Sequence, residues 1–156
     1  MIILCIDPGT TRIGFGVINK EASKLQCLDY GVISHFGKDR LEVIRQVNAS
    51  LSELIAKYKP KMASIEKLFF FKNQKTVIEV SEMRGVILAK IAEYRLPLHE
   101  FTPLQVKQSV SSYGRADKDQ VESMVRLILG LKDKVKPDDA ADGLAIAICC
   151  ANTIIG

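Results

Sequence analysis

The chain opens on Ile2-Ile3-Leu4-Cys5-Ile6, followed at once by Asp7-Pro8-Gly9-Thr10-Thr11. Five apolar residues with no polar alternation suit a strand covered on both faces, the central position in an α/β sheet. Asp7 ends that strand. A carboxylate buried there is costly unless a cation, a donor or water meets it. Pro8-Gly9 turns the chain, and the C-terminal ends of parallel strands are where α/β proteins place their chemistry. A purely local role, with Asp7 capping the turn through its own backbone, explains this stretch equally well.

At 156 residues the chain has the length of one domain, and a single domain over 1–156 is expected. No apolar run approaches the roughly 20 residues of a membrane span, and no basic segment precedes the first strand, so neither anchor nor signal peptide is expected and the cytoplasm is the expected compartment. Cys5, Cys27, Cys149 and Cys150 show no CxxC spacing, which favours small buried hydrophobes over disulfides or zinc. His35 and His99 stand apart. Any metal would therefore be held by oxygen and be a hard ion such as Mg²⁺ or Mn²⁺. The net charge of +4 hints at a polyanionic partner. Lys67, Lys72 and Lys75 fall in one stretch and Lys107, Arg115 and Lys118 in another. Solvated surface explains them as simply.

Taken in order, residues 13–18 alternate large and small side chains and read as a second strand, and Lys24 to Ser34 as a third. Short turns join all three, which predicts an antiparallel meander. From Asp39 to Tyr58 the apolar positions recur at helical steps, and Pro60 stops that helix. Met62 to Ile65 reads as a short strand ending at Glu66. A right-handed crossover would lay it parallel to the first strand and set Glu66 beside Asp7, where two carboxylates need a raised pKa or a shared cation. Lys75 to Tyr94 reads as a long helix, in which Gly85 calls for close approach by another helix. Leu96 to Phe101 reads as an edge strand because of Pro97. A short helix follows Pro103, Ser109 to Arg115 reads as an exposed loop, and Asp117 with Gln120 forms a capping box opening a helix to about Leu129. The last helix begins at Pro137. Its first-turn acids suit the helix dipole, which accounts for Asp138. Asp142 shares a face with both Asp138 and Asp139, and spacing does not choose between them.

Four acids stand out: Asp7, Glu66, Asp139 and Asp142. If they converge, their charge calls for divalent cations, and two metals about 3.5–4 Å apart can clamp both oxygens of an in-line displacement at phosphorus. Ile6-Asp7-Pro8-Gly9, Ile65-Glu66, Arg84-Gly85-Val86, Gln105-Val106-Lys107-Gln108 and Asp139-Ala140-Ala141-Asp142-Gly143-Leu144-Ala145-Ile146-Ala147 together resemble the RuvC Holliday-junction resolvases, in the same order and with similar separations.

The resemblance implies a ribonuclease-H-like α/β fold: a five-stranded mixed sheet, three antiparallel strands then two parallel, flanked by helices. It implies a homodimer that nicks two symmetric strands of four-way junction DNA and leaves ligatable ends. It assigns Asp7, Glu66, Asp139 and Asp142 to two Mg²⁺ ions per subunit, with Mn²⁺ as a substitute, and so selects Asp139 over Asp138. Lys107 and Lys118 match basic residues near the scissile phosphate, Phe69 an aromatic at the junction centre, and the helix of Gly85 the dimer interface. Lys67, Lys72, Lys75, Lys107, Arg115 and Lys118 would hold the backbone, and the RuvA-RuvB branch-migration complex is a candidate partner. Of the rival readings, the sugar-kinase and actin ATPases share the Asp7 turn but bind ATP between two such domains. A pre-ribosomal-RNA nuclease is disfavoured by Arg84-Gly85-Val86 and Gln105 to Gln108, and a non-cleaving junction binder by the full set of acids. Phe70 and Phe71 fit a core strand end as well as a DNA surface. Phe69→Ala should slow nicking of a synthetic junction while leaving the thermal melt unchanged; an unfolded product would place Phe69 in the core instead.

Overall fold

Ile2–Asp7 forms β1, the middle strand of a five-stranded sheet, in a computed structural model that describes residues 1–34, 37, 39–68 and 74–154. Arg12–Glu21 (β2) and Lys24–Ser34 (β3) extend the sheet on one side by antiparallel pairing, while Met62–Glu66 (β4) and Leu98–Phe101 (β5) extend it on the other by parallel pairing. The order is β3-β2-β1-β4-β5, as the sequence reading expects. Crossing from β1 to its parallel partner takes a helix, Arg40–Tyr58 (α1), and the next crossing takes Gln74–Glu93 (α2).

Side chains of β1 alternate between two cores. Leu4 and Ile6 face Val47, Leu51 and Ile55 of α1 and Met83, Ile87 and Ile91 of α2. Ile3 and Cys5 face the other layer, made by Pro103–Ser111 (α3), Lys118–Leu129 (α4) and Asp138–Thr153 (α5). Burial on both faces is why the strand tolerates no polar residue before Asp7. All four cysteines are free, and Cys5, Cys149 and Cys150 are buried.

Local capping sets the helix starts. Asp39 accepts from the amides of Leu41 and Glu42 at α1, and Thr102 with Gln105 and Asp117 with Gln120 form reciprocal boxes at α3 and α4. The expected loop from Ser109 to Arg115 is partly helical instead: α3 runs to Ser111. Val106 and Val110 lie one turn apart and bury together, which outweighs the weak helix preference of the serines.

α5 lies directly on β2 because glycines leave room for it. A Cβ on Gly14 would sit 1.9 Å from the carbonyl oxygen of Asp139, and one on Gly143 would sit 2.7 Å from the carbonyl carbon of Phe15. The small residues of the large-small alternation in β2 are thus the ones facing the helix. Gly85 is different: a Cβ there would meet nothing within 4 Å, so the close approach expected of it is not made among the described residues.

Gly14→Ala should therefore push the start of α5 off the sheet. A cost of about 1–3 kcal/mol, at roughly 2–4 °C per kcal/mol for a chain of this size, would appear as a lowered melting temperature by circular dichroism.

Candidate active site

Three elements deliver acids to one edge of the sheet. Ile6 is in parallel register with Ile65, so Asp7 and Glu66, the next residue of each strand, leave the sheet side by side. The first turns of α5, held against Gly14, bring Asp139 and Asp142 to the same place. Carboxylate oxygens of Asp7, Asp139 and Asp142 lie within 4.8 Å of one another, the one such group of three acids among the described residues. Glu66 lines the same cavity, of about 340 Å³, without joining that group. Asp138, left open against Asp139 by helical spacing, is exposed and lines a neighbouring hollow.

The electrostatics follow from burial. Removal from water, then the charges of Glu66, Asp142 and Asp139, push Asp7 from its ordinary 3.8 up to about 8. Burial first, then Asp142, raises Glu66 to about 7, with Lys107 and Lys118 pulling the other way. Asp142 is raised by burial and by Asp139, and held back by Lys118, whose Nζ lies 3.6 Å from Asp142 Oδ2. Asp142 in turn raises the pKa of Lys118. The neighbouring Asp117 accepts from the Gln120 amide at 2.8 Å, and among the described residues the ion pair of Lys118 is with Asp142.

The sequence-predicted basic residues divide. Lys107 and Lys118 line the acid cavity. Lys67, Lys75 and Arg115 are exposed outside it, and Phe69, Phe70, Phe71 and Lys72 lie outside the described residues. One residue was missed. Arg12 Nε lies 3.3 Å from Asp139 Oδ2; its only signal in the chain is a cation directly after the Thr10-Thr11 turn.

The donor set fits a metal. Three oxygens converge, the charges of Asp142 and Asp139 add to burial in raising Asp7 and that of Asp139 adds to burial in raising Asp142, and the cations paired with Asp139 and Asp142 are solvent-exposed arginine and lysine. Oxygen ligands without histidine or cysteine suit a hard divalent ion.

A family model, that of the crossover junction endodeoxyribonuclease RuvC, matches residues 3–150. The chain belongs to the RuvC family. A RuvC from Halothermothrix orenii is 47% identical over 157 residues, spanning 98% of this chain and 93% of the relative, and one from Petrotoga mobilis is 46% identical, spanning 97% and 94%. Among solved structures, the Thermus thermophilus RuvC in complex with a Holliday junction substrate superposes with a TM-score of 0.89 at 33% identity, covering 96% of this chain and 92% of that one. The ribonuclease-H-like fold expected from the sequence is thus the fold observed.

Between the ordinary pKa of 3.8 and about 8, Asp7 stays protonated in the folded chain but ionises in the unfolded one. The folded state then binds more protons, so stability falls as pH rises through that window. In EDTA the melting temperature should be lower at about pH 8 than at about pH 5. Asp7→Asn should remove much of that fall, and Mg²⁺ should offset it in the parent chain but not in the variant.

Proposed function

We propose that this chain is a divalent-metal-dependent endonuclease that resolves four-way DNA junctions by paired, symmetric nicks, with residues 1–156 acting as one nuclease domain. The observation that carries the reading is the meeting of Asp7, Asp139 and Asp142 within 4.8 Å in a cavity that also holds Glu66, Lys107 and Lys118. Membership of the RuvC family and likeness to a junction-bound relative supply the substrate class.

Asp7, Asp139 and Asp142 would hold Mg²⁺, and Glu66 at the rim would complete the ligand set for a second ion. When bound, such ions supply Lewis acidity for in-line attack of water on a phosphodiester and for the oxygen that departs. The side chains do the rest. Lys118, already beside Asp142, and Lys107, beside Glu66, offset the charge that gathers on the phosphoryl oxygens. Cleavage on this scheme leaves 5′-phosphate and 3′-hydroxyl ends.

Paired nicks need two copies, and a two-fold homodimer matches the symmetry of the junction. Support comes from the side of the sheet opposite α5, where a cavity of about 630 Å³ between α1 and α2 is lined by Val43, Ile44, Met83, Gly85, Val86 and Ala89 among others. There Gly85 has open space above it, and Ile78 on the same helix is 59% exposed.

A synthetic four-way junction compared with linear duplex, with and without Mg²⁺, should yield paired nicks only for the junction and only with the metal. Asp7→Asn should bind the junction as the parent does and fail to cut it. Equal cutting of duplex, or full activity in Asp7→Asn, would overturn the reading.

A further inference from the structure

Asp139 has a partner outside the acid cluster, and that partner belongs to a second hollow. Arg12, 3.3 Å from Asp139, lines a space of about 390 Å³ together with Lys134, Lys136, Pro137 and Asp138. Asp138 lines this hollow and Asp139 the acid cavity, so the two adjoin along the first turn of α5. Three cations face one another there against the single carboxylate of Asp138.

Those cations are loosely committed. Arg12 and Asp139 are 54% and 28% exposed, Lys134 and its partner Asp119 49% and 87%. Pairs so wet hold about 0–1 kcal/mol. Lys136 makes no ion pair among the described residues. A phosphate offers Arg12 a charge-assisted, two-pronged hydrogen bond, a better partner than a carboxylate half in water.

We propose that Arg12 and Lys136, with Lys134 beside them, form a subsite for one non-scissile phosphate of the DNA backbone, adjoining the bond that is cut. The subsite rests on the junction-nuclease reading. Its work is positional: phosphate contacts set register and orientation without reading sequence, and a backbone gripped here is aligned over the neighbouring acids.

Junction binding in EDTA, where no strand is cut, tests this by fluorescence anisotropy over a range of salt. R12Q/K136Q should lose affinity about tenfold near 0.1 M salt, with a slope of log K against log salt shallower by about 1, the value for one phosphate contact. K24Q/K61Q removes the same charge from the opposite end of the sheet and should leave the slope unchanged. R12K/K136R keeps the charges and should keep the slope, which separates charge from folding. Uncharged methylphosphonate substituted singly around the cut site should find one position that costs the parent affinity and costs R12Q/K136Q nothing. Equal slopes in R12Q/K136Q and K24Q/K61Q, or loss of binding in R12K/K136R as well, overturn the subsite and leave the nuclease reading standing. A change in Mg²⁺ affinity for R12Q with an unchanged slope confines Arg12 to Asp139 and also overturns it. A parent chain that binds junction no better than duplex overturns the reading beneath.

Discussion

Contact between α5 and β2 leaves no room for a side chain at Gly14, Gly16 or Gly143, and that contact sets where Asp139 and Asp142 stand. A Cβ at Gly14 would overlap the Asp139 carbonyl itself, and one at Gly16 would crowd the Leu144 amide at 2.9 Å. Lifting the helix by the width of a methyl group would carry both aspartates away from the tip of β1. The positions of these acids are therefore a consequence of packing between elements distant in the chain, secured by hydrophobic burial along Leu144, Ile146 and Ile148.

Packing holds the acids closer than their charges favour. Burial and mutual repulsion lift Asp7 to about 8 and Glu66 to about 7 against the pull of Lys118 on both and of Lys107 on Glu66, while Arg12 and Lys118 hold Asp139 and Asp142 only through exposed pairs. Such pairs contribute at most about 1 kcal/mol, and one pKa unit represents about 1.4 kcal/mol. The lysine and arginine therefore leave much of this cost, of which burial is the larger part, uncompensated. A site with that imbalance favours small, highly charged cations, and the two half-free basic side chains remain available to a polyanion.

Much of this was legible along the chain because it is local. The uninterrupted apolar run marked β1 as central, a helical crossover placed Glu66 beside Asp7, and Asp117 with Gln120 announced the start of α4. Ser109 to Ser111 read as loop from serine's weak helix preference, yet the one-turn spacing of Val106 and Val110 buries both and carries α3 through them. Arg12 went unnoticed because nothing adjacent to it in sequence shows its partner. Glu66 belongs to the cavity, yet it stands apart from the close group of three, a distinction of distance that no motif expresses.

Strand, helix and cap patterns arise from contacts between near neighbours, so the order of residues was enough to determine most of the elements and the candidate acids at their ends. Which aspartate of α5 faces β1, how near three carboxylates come, and that Arg12 answers Asp139 were decided only when the sheet and helix closed on each other. Repulsion and ion pairing depend on separation in space, and the glycine contacts that set that separation join residues from opposite ends of the chain.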